Sequence, residues 1–306
     1  MVSVRPVLAL LFNALVWGVS WWPLRSLHSA GLHPLWATAL VYLVALVCLV
    51  LLVRGSAGNF VRHPQLWWLG LAAGLTNICF NWAVTLGDVV RVVLLFYLMP
   101  AWSVLVAWWL LGERPTPQSL VRVVLALAGV VLVVLPAGAG WSGFAAMASG
   151  LSGPDFLAIA GGFCFALTNA LLRRFSATPE SGRMVAMFCG GVVMAGGVAV
   201  VATSLGMVPA PPAPALDWLW VAAALSLAFV LGNLALQYGA ARLAAGTTAL
   251  VMLSEVLFAS GSSALAGAAQ PSARMLAGGA MIVLAALLAL LPAKALRRAA
   301  VPRHLP

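Results

Sequence analysis

Long apolar segments recur along nearly the whole chain, and each is long enough to cross a lipid bilayer. A helix needs roughly 20 predominantly apolar residues to span a hydrocarbon core about 30 Å thick. Ten such segments fit the sequence, at residues 6–24, 34–53, 65–86, 89–111, 119–136, 153–172, 183–204, 216–239, 246–268 and 272–291. Their lengths, and the lack of sustained alternation between apolar and polar residues, predict α-helices rather than the strands of a barrel.

The composition excludes most soluble classes. Only 7% of the 306 residues are charged, against about 25% in an ordinary soluble domain. We therefore expect an all-α integral membrane protein whose partners are the lipid bilayer and a small-molecule substrate. The net charge of +10 comes from basic residues scattered over short loops and the tail, so no nucleic-acid partner is expected. The four cysteines all lie inside apolar segments, so neither a metal site nor a disulfide framework is expected, and no cofactor is implied.

Lysine and arginine are distributed unevenly between the two sides of a ten-helix arrangement. With the N-terminus inside, three basic residues fall outside, namely Arg25, Arg91 and Arg274. Thirteen fall on the cytoplasmic side: Arg5, Arg54, Arg62, Arg114, Arg122, Arg173, Arg174, Arg183, Arg242, Lys294, Arg297, Arg298 and Arg303. Because cytoplasmic loops carry an excess of Lys and Arg, both termini are predicted to be cytoplasmic. The first segment is accordingly interpreted as a retained helix and not as a cleaved signal peptide.

The ten segments divide into two similar halves. Residues 137–152 form an uncharged stretch rich in Gly, Ala and Ser, which is typical of a linker. The segment "NWAVTLG" (81–87) aligns with "NLALQYG" (233–239). Two similar halves of five helices must have opposite orientations, as in the inverted repeats of many secondary transporters, where the substrate site lies near the midplane. We predict a first repeat at 1–136, a linker at 137–152, a second repeat at 153–292 and a basic cytoplasmic tail at 293–306.

Several sequence segments resemble the drug/metabolite transporter superfamily, of the EamA-domain type. They are "LVWGVSWWPLRSL" (15–27), "LLFYLMPAWSVLVAWWLLGERPT" (94–116), "VMLSEV" (251–256) and "GGAMIVLAALLALLP" (278–292). The resemblance covers nearly the whole chain. It implies ten helices in two inverted five-helix repeats around a central cavity, transport of small organic solutes, and location in a bacterial inner membrane.

Glu255 is the one charged residue placed clearly at mid-depth in an apolar segment, with Ser254 beside it. A charged side chain there costs roughly 2.5 to 3.5 kcal/mol on insertion scales, so it needs a reason. Removal from water favours the protonated carboxyl. We hypothesise that Glu255 couples transport to protons or pairs with a substrate amine. The alternative is a carboxyl that only hydrogen-bonds neighbouring helices.

Polar and aromatic residues at helical spacing supply further candidates. Asn77 and Asn81 share one helix face, and Asn233 and Gln237 repeat that spacing in the eighth segment. The remaining candidates for the cavity are Asn13, Trp17, Tyr97, Trp102, Thr168 and Asn169. Amides donate and accept together, which suits zwitterions, although interhelical amide bonds also hold membrane helices together. The aromatic residues can equally pack in the core.

Three residues are candidates for gating. Pro100 is expected to kink the fourth segment because proline removes a backbone hydrogen bond. Asp88 and Arg91, on the outer side, suit an extracellular latch, or else a solvated surface pair.

An enzyme is not predicted, and no catalytic residue is assigned. Ser152 in "GLSG" (150–153) lacks a base, because the only histidine after it is His304 in the tail. The sequence has no phosphate-binding loop, so transport must be secondary or passive. The family resemblance favours export, so we predict an alternating-access exporter of small metabolites, with amino acids or similar zwitterions first, acting as a monomer or homodimer. A carrier or flippase of amphipathic or lipid-linked molecules is the alternative, followed by a channel.

Overall fold

A computed structural model describes residues 4–86, 92, 95–134, 152–266 and 273–290. The secondary structure in these ranges is helical, with no strand among them. The predicted latch residues Asp88 and Arg91, most of the linker at 137–152 and the basic tail at 293–306 lie outside the described residues.

Thirteen α-helices and one short π-helix make up the described fold. In the first half they are α1 (Val4–Val19), α2 (Trp21–Ser29), α3 (Pro34–Leu52), α4 (Ser56–Val61), α5 (Leu66–Leu86), α6 (Met99–Val106), the π-helix (Ala107–Leu111) and α7 (Pro117–Val134). In the second half they are α8 (Gly153–Arg174), α9 (Glu180–Ser204), α10 (Leu216–Ala240), α11 (Ala245–Met252), α12 (Glu255–Leu265) and α13 (Ala273–Leu290). The prediction of an all-helical chain is confirmed for the described residues.

Among the described residues, five helical stretches are long and apolar enough to cross a membrane: Val4–Ser29, Pro34–Leu52, Gly153–Arg174, Glu180–Ser204 and Leu216–Ala240. Shorter apolar helices lie at Ala101–Leu111, Pro117–Gly129, Gly246–Ala259 and Leu276–Ala285. Many large apolar side chains remain exposed on the outer faces, among them Leu52, Trp109 and Leu216. Such a surface suits contact with lipid.

The predicted segment 6–24 divides at Ser20, between α1 and α2. Two further predicted segments, 89–111 and 246–268, are also not continuous helices. The first is interrupted by a turn at Tyr97 and Leu98, directly before α6. Pro100 lies in the first turn of α6, where it has no N–H to continue the preceding helical ladder. The second is interrupted at Leu253 and Ser254, and Glu255 is then the first residue of α12. The hydroxyl of Ser254 donates to the carbonyl of Val251 at 2.7 Å, which competes with the regular backbone bonding.

The two halves of the chain interleave. Helix α1 packs on α10, α11 and α12, and α8 packs correspondingly on α5 and α6. Helix α3 packs on α9, and α7 packs on α13. Most of the core therefore lies between helices of different halves rather than inside either half.

Glycine permits the tightest of these contacts, between α5 and α9. A Cβ added at Gly74 would lie 2.5 Å from the carbonyl oxygen of Gly190, and one at Gly70 would lie 2.7 Å from that of Ala186. Distances this short are not tolerated between a methyl group and a backbone oxygen. The backbones of α5 and α9 are therefore in direct contact. Two glycines four residues apart, as at Gly70 and Gly74, are typical of such close contacts between membrane helices.

Candidate functional site

A cavity opens in the centre of the bundle, between helices of both halves. Its volume is about 50 Å³. The lining residues are Trp17, Tyr42, Ala73, Thr76, Asn77, Phe80, Phe96, Phe165, Thr168, Met187, Asn233, Leu236 and Glu255. The cavity thus combines one carboxyl group, amide and hydroxyl groups, and an extensive aromatic surface.

Glu255 lies at the helix interruption that precedes α12, and its carboxyl faces the cavity. It is hydrogen-bonded to the side chain of Tyr97, which lies in the other helix interruption. Helix α1 approaches closely here, because a Cβ at Gly18 would lie 2.9 Å from the carbonyl oxygen of Glu255. The neighbouring Trp17 can therefore reach the cavity beside the carboxyl.

The amide of Asn77 is held by two partners. Its Oδ1 accepts a hydrogen bond from the Tyr42 hydroxyl at 2.9 Å, and its Nδ2 donates to the Ala73 carbonyl at 2.8 Å. Tyr42 was not among the residues predicted from the sequence. Because an amide nitrogen has two hydrogens, Asn77 keeps one donor for another partner.

Aromatic side chains form the apolar part of the wall. Trp17 stacks on Phe229, with ring centroids 4.6 Å apart. Phe96 lies 4.6 Å from Phe80 and 5.9 Å from Phe165, measured between centroids. These rings offer flat surfaces for an apolar or aromatic group.

Seven of the residues predicted for the lining lie behind or beside it. Gln237 is one of them, and it reaches the cavity only through its hydrogen bond to Asn233. Asn13 is fully buried and donates to the sulfur of Met252 at 3.4 Å. Asn81, one turn beyond Asn77, donates to the hydroxyl of Thr38. Ser254 is occupied by the backbone bond described above, and Tyr97 reaches the site only through Glu255.

Trp102 and Asn169 do not line the cavity. Trp102 packs edge-on against Phe163, with centroids 5.8 Å apart. Asn169 is 1% exposed and follows Thr168, which does line the cavity.

Arg183 is the main polar residue that the sequence prediction misplaced. The sequence predicts a solvated charge in a short loop, but the side chain of Arg183 is only 1% exposed. One guanidinium nitrogen donates to the carbonyl oxygens of Phe175 and Ser176 at 3.1 Å each, and also to that of Thr178. Its Nε donates to Oε1 of Gln237 at 3.3 Å. The position of Arg183 at the start of an apolar segment gave no signal of this burial.

Comparisons with known proteins bear on the family and on the fold. A model of the EamA-like transporter family matches residues 4–135. Among 28 matching chains of known structure, one crystal structure is similar over 96% of this chain and 99% of its own, with a TM-score of 0.71. Its sequence identity of 22% means that the likeness concerns the fold alone. No curated protein sequence matches the chain.

Proposed function

We propose that the chain is a secondary transporter, because residues 4–135 match the EamA-like transporter family, part of the drug/metabolite transporter superfamily. The family consists of membrane transporters of small molecules, and several long apolar helices make this chain a multi-pass membrane protein. The proposed activity is export of small organic metabolites, with amino acids or similar zwitterions first, across a bacterial inner membrane.

The observation that carries the proposal is the central cavity with Glu255 at a helix interruption. In transporters built from repeats, substrate and coupling-ion sites lie near the midplane at discontinuous helices. Here the carboxyl of Glu255 suits a substrate ammonium group, and the amides of Asn77 and Asn233 suit a carboxylate. The aromatic wall around Phe96 suits an apolar side chain.

The interleaved packing supports alternating access. The partners of α1 in the second half correspond to the partners of α8 in the first half, as expected for two repeats related by a pseudo-twofold axis. The family match ends at residue 135, beside the predicted end of the first repeat. We propose ten membrane spans with both termini cytoplasmic, in which one repeat moves against the other around the cavity.

The cytoplasmic side is assigned to the basic end of the bundle. The connections after α3, α8 and α10 meet there. Arg173 donates to the carbonyl of Ala241 at 3.2 Å, Arg174 donates to that of Leu110 at 2.7 Å, and Asn59 donates to Ser181 at 3.0 Å. An excess of arginine on one side is the signature of a cytoplasmic face.

Glu255 is proposed to couple transport to protons. A carboxyl facing the cavity can bind either a proton or a cationic group, so protonation and binding of a substrate ammonium compete. Acidification is therefore expected to weaken substrate binding on the side where it occurs, and a substrate leaving on the acidic side would exchange for a proton.

Counterflow in proteoliposomes tests this function. Vesicles loaded with unlabelled amino acids receive a trace of the labelled pool at two pH values, one on each side of neutrality. The wild type is expected to show saturable, pH-dependent uptake, whereas Glu255→Gln shows uptake that no longer responds to pH. Asp217→Asn is the matched control, because this exposed carboxyl at the start of α10 lies far along the helix from the cavity residue Asn233.

Two results would contradict the proposal. Uptake that does not saturate would indicate a channel. Absence of uptake by folded wild-type protein for every amino acid tested would remove this substrate class and favour a carrier or flippase of amphipathic molecules.

A further inference from the structure

A chain of side-chain hydrogen bonds joins the buried Arg183 to the cavity wall. The Nε of Arg183 donates to Oε1 of Gln237 at 3.3 Å. The Nε2 of Gln237 then donates to Oδ1 of Asn233 at 2.8 Å. Asn233 lines the cavity, so the chain runs from the basic end of the bundle to the site proposed to bind substrate.

The donor-only chemistry of arginine fixes the direction of every bond in this chain. A guanidinium group cannot accept a hydrogen bond, so Gln237 must present its carbonyl oxygen to Arg183. The amide nitrogen of Gln237 therefore faces Asn233, which must present its own oxygen in return. As a result, the NH₂ group of Asn233 is the end directed away from the chain.

The NH₂ group of Asn233, at the far end of the chain of hydrogen bonds, has only a weak partner. The Nδ2 of Asn233 lies 3.7 Å from the sulfur of Met187, and a thioether is a poor acceptor. Met187 also lines the cavity. A substrate oxygen entering the cavity can replace this contact at little cost.

The positive charge of Arg183 is not cancelled by a buried carboxylate within the described part of the chain. Its ion-pair partner is Glu180, whose carboxylate lies 3.8 Å away, is 50% exposed and is shared with Arg242 at 3.5 Å. The remaining partners are neutral carbonyl groups. Hydrogen bonds in series polarise one another in a low-dielectric interior, so the guanidinium strengthens the donor at the far end of the chain.

We propose that Asn233 is the subsite for the anionic group of the substrate, and that Arg183 is a positioning residue that acts on it through Gln237. The inference rests on the proposed transport function and specifies its substrate class. The cavity has an acidic pole at Glu255 and a hydrogen-bond-donor pole at Asn233. A substrate that carries both an ammonium and a carboxylate group satisfies both poles.

Three ligands that differ only in their charged groups test the subsite. L-Phenylalanine has both groups, phenethylamine lacks the carboxylate, and hydrocinnamate lacks the ammonium group. Binding to the purified protein is followed by quenching of tryptophan fluorescence, since Trp17 lines the cavity. The wild type is expected to bind L-phenylalanine at least about tenfold more tightly than phenethylamine, as expected for a hydrogen bond to a charged group.

Gln237→Glu is the diagnostic variant. The new carboxylate keeps the size of the side chain and still accepts from Arg183, but it cannot donate to Asn233. The amide of Asn233 then turns its NH₂ group toward position 237 and its oxygen toward the cavity. The preference for L-phenylalanine over phenethylamine is expected to disappear, while phenethylamine binds at least as tightly as before. If the chain of hydrogen bonds only stabilised the fold, Gln237→Glu would weaken the binding of both ligands equally.

Arg242→Gln is the matched control for charge at this end. The Arg242 guanidinium lies over Tyr238 and is exposed, so its loss should leave the ratio of the two affinities unchanged. An unchanged ratio in Gln237→Glu, or a wild type that binds both ligands equally, would overturn the proposal.

If none of the three ligands binds, the proposed amino-acid transport fails. A second measurement then tests the hydrogen-bond donor at Asn233 independently of that function. Thr76→Cys, in a background with the four native cysteines replaced by alanine, places a thiol on the cavity wall. The rates at which this thiol reacts with an anionic and with a cationic methanethiosulfonate reagent are measured with and without Gln237→Met. The Met substitution removes the Gln237 amide, which donates to Asn233, and adds no charge. A fall in the anionic-to-cationic ratio supports the donor pole at Asn233, and an unchanged ratio overturns it.

Discussion

Gly190 is the position at which a single methyl group should destabilise the bundle most clearly. Its Cα lies against the backbone of α5, and an added Cβ would overlap the carbonyl oxygen of Gly70. A Cβ at Gly74 would in turn lie 2.5 Å from the carbonyl oxygen of Gly190, so backbone meets backbone on both helices and neither side chain can move to make room. Overpacking typically costs 1–3 kcal/mol, and contact with rigid backbone on both sides places Gly190→Ala near about 3 kcal/mol.

Gly197→Ala is the matched control, because it lies on the same helix with no heavy atom within 4 Å of an added Cβ. There the better helix propensity of alanine should raise stability by up to about 1 kcal/mol. Thermal unfolding of the two purified variants in the same detergent, followed by tryptophan fluorescence at one scan rate, should place Gly190→Ala roughly 5 °C or more below the control. If Gly190→Ala unfolds at or above the temperature of Gly197→Ala, the close approach of α5 and α9 is wrong.

Three further predictions follow from named contacts. Replacing Trp17 with leucine should weaken binding of aromatic amino acids by about two- to tenfold, with little effect on alanine, because an aromatic stack contributes about 0.5–1.5 kcal/mol; competitive counterflow measures both. Tyr42→Phe removes the 2.9 Å bond to Asn77 and should lower stability by about 1 kcal/mol, seen as a small fall in unfolding temperature. Arg183→Met leaves several buried acceptors unpaired and should lower the unfolding temperature much more than Arg242→Gln, whose exposed ion pair contributes less than about 1 kcal/mol.

The helices were largely predictable because each apolar segment has the length of a membrane span. Seven observed helices, including α3 (Pro34–Leu52) and α10 (Leu216–Ala240), begin and end within three residues of the predicted bounds. The shared cavity of Glu255, Asn77 and Asn233 was also predictable, since a polar residue inside an apolar segment needs a polar environment. Their roles in transport stay predictions.

Other features depend on tertiary contacts that local pattern does not encode. In the sequence, Tyr42 is an ordinary aromatic residue of an apolar segment. Its hydrogen bond to Asn77 exists only because α3 packs beside α5. Arg183 sits at a segment boundary, where solvation is the default expectation, and its burial follows from the carbonyl groups that the end of α8 presents to it. The turn at Leu253 and Ser254 lacks a glycine or proline to indicate it.

The central claim is that one cavity serves both sides of the membrane in turn. Thr76→Cys in the cysteine-free background reports on it directly, because residue 76 lines that cavity. Labelling by a membrane-impermeant thiol reagent is measured in right-side-out and in inside-out vesicles, with and without amino-acid substrate. The thiol is expected to react from either side, and substrate is expected to slow both reactions. A folded variant whose thiol reacts from one side only, or from neither, would contradict the claim.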